Sequence, residues 1–157
     1  MLGAQPEHRY LMPTPPLSAL VCRRLEKVAR ASAKNSYSPY SQFPVGAALL
    51  AASGRIYPGT NVENASYSLC NCAERTALFT AIAQGEREIR AIVIYTPTPQ
   101  AASPCGACRQ VLNEFGPQAL VISICQSRDR IEAPLDQWLP LAFGPKNLAG
   151  KASRTRR

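Results

Sequence analysis

Ile89-Arg90-Ala91-Ile92-Val93-Ile94-Tyr95-Thr96 decides the fold class. β-Branched residues dominate this run, and it is too densely apolar for a strand with one wet face. It therefore reads as a buried central strand. A Pro-containing loop over Thr96–Pro104 follows, then a short helical segment from Cys105 to Phe115, closed by Gly116-Pro117. Leu120–Cys125 reads as a second buried strand, Arg130–Ala133 as a short further one, and Leu135–Leu139 as a helical turn. Toward the N-terminus, Gly85 ends a helix that starts at Cys72 and carries Ala77, Leu78, Ala81 and Ile82 on its apolar positions. Pro44–Ala52 and Arg55–Asn61 read as strands joined by a Ser53-Gly54 turn. Pro58 and Gly59 make the second of them edge-like or bulged. Ser18 opens a helix reaching about Lys34, with Leu20, Val21, Leu25, Val28 and Ala29 at helical spacing. The order α-β-β-α-β-α-β-β predicts a three-layer α/β/α sandwich around a five-stranded mixed sheet.

The 157 residues, 46% hydrophobic and 18% charged, suit one domain, assigned to residues 18–148, and exclude a disordered chain. Residues 1–17, with Pro6, Pro13, Pro15 and Pro16, show no period and read as an extended or disordered arm. The longest apolar runs, such as Val45–Ala52, fall short of the ~20 residues that cross a bilayer. No signal-peptide pattern is present either, so a soluble cytoplasmic protein with no membrane partner is expected. The net charge of +8 invites a nucleic-acid reading. Ser18–Pro145 carries twelve basic against nine acidic residues, however, and much of the excess lies in a basic tail over residues 149–157. Such a tail on a near-neutral body reads as a solvated end, and nucleic acid is not the expected partner.

Six cysteines and one histidine narrow the chemistry. His8 sits in the Pro-containing arm, so no Ser–His or Cys–His dyad and no His-rich metal site is available to the body. Clustered cysteines in a reducing compartment point to a metal or to catalysis, and thiolate-rich coordination points to zinc. Cys72-Ala73-Glu74 opens one helix and Pro104-Cys105-Gly106-Ala107-Cys108 the next. Cys105 and Cys108, three apart, share a helix face. Three thiolates, Cys72, Cys105 and Cys108, leave a fourth position for water, whose pKa the metal lowers. Glu74 is then the natural proton carrier. Arg75 is the candidate that offsets the excess thiolate charge, with Arg109 as a second. The alternative is a closed zinc staple with Cys70 as fourth ligand, which gives Glu74 no role. Cys22 and Cys125 read as core, and Cys70 as packing near the metal.

Cys-x-Glu followed by Pro-Cys-x-x-Cys resembles the zinc-deaminase signature in its all-cysteine form. Across Ser36–Leu148 the chain is similar to the small homotetrameric cytidine deaminases. The likeness is carried by Phe43-Pro44-Val45-Gly46-Ala47, Asn61-Val62-Glu63-Asn64, Cys72-Ala73-Glu74-Arg75, Pro104-Cys105-Gly106-Ala107-Cys108-Arg109-Gln110 and Phe143-Gly144-Pro145. The resemblance implies one zinc per subunit on Cys72, Cys105 and Cys108, with hydrolytic deamination of cytidine and 2'-deoxycytidine in pyrimidine salvage. Glu74 would move protons between water and N3 of cytosine while hydroxide attacks C4. It implies that the Ala73 backbone meets the base edge, Phe43 packs on the base, and Asn61 and Glu63 bind the ribose hydroxyls. It also implies that Arg75 tempers the thiolates, and that Phe143 and Tyr67 reach a neighbouring subunit's site in a shared tetramer. Each of three has a plainer alternative: Asn61 serves a turn, Phe43 is core, and Phe143 covers a core edge. Other functions open to the sequence are a deaminase of another cytosine compound (blasticidin S type or polynucleotide) and a non-catalytic zinc-stabilised binding module. A carboxylate at Glu63 opposes the polynucleotide option, because a 3′-phosphate beside it would be repelled.

Overall fold

Ser18 starts the first helix as a capping residue does: its Oγ accepts a hydrogen bond from the Val21 N–H at 3.3 Å. The computed structural model describes residues 16–148. The assigned arm over residues 1–17 falls outside it as far as residue 15, and the basic tail over residues 149–157 falls outside it entirely. The elements run α1 (Ala19–Ala33), β1 (Gly46–Ala51), β2 (Ile56–Thr60), a 3-10 turn (Tyr67–Leu69), α2 (Ala73–Ala83), β3 (Ile89–Tyr95), α3 (Gly106–Phe115), β4 (Leu120–Ile124), β5 (Arg130–Pro134), α4 (Leu135–Trp138) and α5 (Pro145–Leu148). All the expected elements form, with ends within two residues of those expected; β5 runs one residue further, to Pro134. The 3-10 turn and α5 have no counterpart in the sequence pattern, being too short to show a period.

The five strands make one mixed sheet in the order β2-β1-β3-β4-β5. β1 pairs antiparallel with β2 and β3, β3 pairs parallel with β4, and β4 pairs antiparallel with β5. The parallel pair needs a crossover, and α3 supplies it. Alternation along the strands sorts the core into two layers. Ala48, Leu50, Ala91, Val93 and Ile122 face α1, meeting Leu25 and Ala29. Ala47, Leu49, Ile92, Ile94 and Val121 face the other way, onto Ala77, Leu78, Ala81 and Leu112 of α2 and α3. Burial on both faces is why β1, β3 and β4 read as continuous apolar runs. Among the described residues, no helix is long and apolar enough to cross a membrane.

α2 ends on Gly85 at φ 93°, a left-handed residue that only glycine adopts at no steric cost. There the Glu86 N–H reaches Ala81 O at 3.1 Å and the Gly85 N–H reaches Ile82 O at 3.0 Å, the paired bonds of a Schellman stop. The other end of α2 is set by a close approach. A Cβ on Gly59 of β2 would lie 2.2 Å from Ala73 O and 2.5 Å from Ala77 N. Gly59→Ala is therefore expected to push the start of α2 off the sheet. It should cost about 1–3 kcal/mol, lowering the thermal midpoint of a chain this size by roughly 3–10 °C. Thermal unfolding of the variant checks this, and an unchanged midpoint would mean that α2 is not seated on the β2 backbone.

Candidate active site

Both metal-ligand candidates at helix starts are N-cap residues. Cys72 precedes α2 and Cys105 precedes α3, each extended and neither donating or accepting a capping hydrogen bond through its side chain. The first amides of both helices are thus free of side-chain caps, and the positive ends of two helices converge on sulfur. Cys108 lies in the first turn of α3, fully buried. The ligand atoms of Cys72, Cys105 and Cys108 all lie within 4.8 Å of one another. Two sulfurs on a tetrahedral zinc with bonds of about 2.3 Å stand about 3.8 Å apart, and the Cys72 and Cys105 Sγ atoms are separated by 3.9 Å. Donor type and spacing both fit zinc. Cys70 is not part of this cluster: its sulfur engages the backbone of Asn64, at 3.3 Å from N and 3.6 Å from O. The closed four-cysteine staple is therefore not what the chain builds.

Cys72 is the sulfur poised to lose its proton. The Cys72 thiol is pushed down to about 5, first by its hydrogen bond with Cys108 and then by the guanidinium of Arg75. Cys108 moves the opposite way, its thiol raised by the same hydrogen bond and by burial. A divalent cation held by both sulfurs would displace the remaining thiol proton. Arg75 Nη2 lies 3.7 Å from Cys72 Sγ and donates to Cys70 O at 3.1 Å. Arg109, the second candidate for that role, is employed elsewhere. Its Nε donates to Pro104 O at 2.7 Å and its Nη1 to Trp138 O at 3.0 Å, because α3 points it toward the C-terminal segment rather than the sulfurs.

Glu74, in the first turn of α2, is buried. Burial raises its carboxyl above the usual range, and the Cys72 charge adds to the effect. A cavity of about 360 Å³ opens onto it, lined by Phe43, Asn61, Glu63, Glu74, Cys72 and Cys105 among others. That size suits a small organic ligand. Phe43 is 40% exposed against the cavity, so it is not a core residue.

Asn61 and Glu63 follow β2 and fasten the loop that carries Phe43. Asn61 Oδ1 accepts from Ser36 Oγ at 2.6 Å and Val45 N at 2.8 Å, while its Nδ2 donates to Phe43 O at 2.9 Å. Glu63 accepts from the Tyr40 N–H at 2.9 Å, the Ser41 N–H at 3.2 Å and the Ser41 hydroxyl. The Ser41 hydroxyl, chiefly, holds the Glu63 carboxyl below the usual carboxylate range. Asn61 thus braces a distant loop rather than a turn of its own, and both side chains also face the cavity. Tyr67 and Phe143 do not line it: Tyr67 meets Tyr40 edge-on at 5.7 Å, and both Tyr67 and Phe143 are largely exposed.

Ser41, Thr96 and Ser103 also line the cavity, and the sequence assigns none of them a role. Ser41 lies between α1 and β1, Thr96 at a strand end and Ser103 in a Pro-containing loop, and none carries a spacing that marks it. Thr96 is buried and its hydroxyl meets that of Thr98 at 2.7 Å, so it ties down the loop leading to Cys105.

Residues 22–124 match the family model described as the cytidine and deoxycytidylate deaminase zinc-binding region. A cytidine deaminase of Sporosarcina psychrophila is 43% identical over 134 residues, which is 83% of this chain and 98% of that protein. A probable cytidine deaminase of Dictyostelium discoideum is 38% identical over 82% of this chain and 88% of its own length. Among solved structures, the cytidine deaminase from Burkholderia pseudomallei is similar with a TM-score of 0.75 and 44% identity, covering 81% of this chain and 100% of that one.

Proposed function

The chain belongs to the cytidine and deoxycytidylate deaminase family, and on that premise we propose that it hydrolyses cytidine and 2'-deoxycytidine to uridine and 2'-deoxyuridine, releasing ammonia. The observation that carries the reading is the convergence of three cysteine sulfurs beside a buried carboxyl, with Cys72, Cys105 and Glu74 lining one cavity. Cys72, Cys105 and Cys108 would hold one zinc ion per chain. When bound, zinc supplies the Lewis acidity that makes water nucleophilic near neutral pH.

This chain's residues do the rest. Glu74 accepts a proton from the attacking water and delivers it to N3 of the pyrimidine ring, which makes C4 electrophilic. It then takes a second proton from the hydroxyl added at C4 to the amine, so that ammonia leaves and the C4 carbonyl forms. Its burial raises its proton affinity toward the range in which a carboxyl both gives and takes. Arg75, against Cys72 Sγ, moderates the negative charge of three thiolates, which would otherwise blunt the metal. The Ala73 backbone meets the base edge, Phe43 packs on the ring, and Asn61 and Glu63 take the ribose hydroxyls. The exposed Tyr67 and Phe143 fit a homotetramer in which each site borrows side chains from a neighbour. A three-thiolate site suits a reducing compartment such as the cytoplasm.

The test is direct. Cytidine is incubated with the purified protein before and after chelation, cytosine absorbance is followed, and zinc per chain is measured. Loss of absorbance that the chelator abolishes is expected, and no loss with one zinc bound would overturn the reading. Glu63→Gln tests the ribose contact separately. It keeps an acceptor for Ser41 but loses the charge, and hydrogen bonds to charged groups contribute about 1.5–3 kcal/mol, so KM should rise roughly 10- to 100-fold. The change in kcat should be smaller, as steady-state kinetics would show.

A further inference from the structure

The segment after α4 is held by hydrogen bonds more than by packing. A groove of about 540 Å³ separates it from the end of α3. Within it, Leu141 stands fully exposed at φ 57°, a left-handed conformation that costs a branched residue energy and persists only where its surroundings dictate it. Two neighbouring side chains of α3 supply that constraint. Arg109 Nη1 donates to Trp138 O at 3.0 Å, with its guanidinium 5.4 Å from the Trp138 ring centroid. Gln110 Nε2 donates to Phe143 O at 2.8 Å. The strained residue lies between the two anchored carbonyls. Phe143, on the second of them, is 58% exposed and does not line this chain's own cavity. Arg109 also grips Pro104 O at 2.7 Å and Ser103 Oγ at 3.3 Å, immediately before Cys105.

We propose that Gln110, together with Arg109, is a positioning residue that brackets residues 138–144 and aims Phe143 at the nucleoside site of a second copy of this chain. The inference rests on the reading above in which Phe143 completes a neighbour's site. It adds the device that fixes that side chain, and it links each cavity's own wall at Ser103 to the residue lent outward. Gln110→Glu tests it, because glutamate has the same length but cannot donate to Phe143 O.

Losing one such hydrogen bond should raise KM for cytidine roughly three- to tenfold with kcat within about twofold. Amide hydrogen exchange at Ala142–Gly144 should quicken, while that of the β3 and β4 core stays as it was. The same substitution in a Phe143→Ala background should add less than about twofold, since residues acting through one another are not additive. Equal effects in the two backgrounds would overturn the link between Gln110 and Phe143. Unchanged exchange in Gln110→Glu would overturn the bracket. A native KM in Phe143→Ala would overturn the borrowed-residue reading beneath both, and zinc content and thermal midpoint separate all three from misfolding.

Discussion

Glu74→Gln should lower kcat by roughly a hundred- to ten-thousand-fold, the usual contribution of a positioned general acid–base, while zinc stays bound. Glutamine has the same shape and can hydrogen-bond both substrate and water, but it cannot ferry a proton. Binding and catalysis should therefore part, with KM moving little and turnover collapsing. Stability supplies a second signature. A buried carboxyl whose folded pKa lies above its unfolded value weakens the fold as pH rises past the unfolded pKa, because ionisation is then favoured in the unfolded chain. The neutral amide escapes that cost, so the midpoint of Glu74→Gln near neutral pH should equal or exceed that of the native protein. A variant that lost activity and melted early would instead mark Glu74 as a structural residue. Metal analysis, steady-state kinetics and thermal unfolding on one preparation decide among these outcomes.

Cys108→Ser is the second large effect. Cys108 is fully buried within the sulfur cluster, and serine there offers a hard, poorly ionised oxygen in place of a soft thiolate. Loss of partners that merely orient metal ligands already costs 10- to 100-fold, so loss of a ligand should cost more than about 100-fold in activity, with zinc content falling in parallel. Added zinc should restore the native protein after chelation and fail to restore the variant. Chelation should lower the midpoint without unfolding the chain, because the apolar layer between the sheet and α1 lies on the face opposite the sulfurs. Activity that persisted in a metal-free Cys108→Ser protein would remove the metal from the chemistry altogether.

How legible these features were depended on how local they are. Ile89–Tyr95 and Leu120–Ile124 announced themselves because strands buried on both faces are predominantly apolar, with Arg90 and Ser123 as the interruptions. The sulfur trio was readable because helix starts and a three-residue spacing are local, and convergence followed from the order of elements. Other features depend on tertiary contacts between distant residues. Arg109 adjoins a metal ligand in sequence, yet it serves a carbonyl twenty-nine residues away. The ties of Asn61 to Ser36 and of Glu63 to Ser41 span more than twenty residues, so no period or motif within either loop records them. Leu141 is the sharpest miss, since nothing in a leucine signals a left-handed backbone.

The sheet order has one more consequence, for behaviour in concentrated solution. β2 and β5 close its two margins, and a bare margin invites strands from other molecules. Pro58, midway along β2, offers no amide for such an addition, and β5 carries Arg130 and Glu132, charges that resist being sandwiched into a growing ribbon. Fibrillar self-assembly from the native state is thereby discouraged at both sides of the molecule.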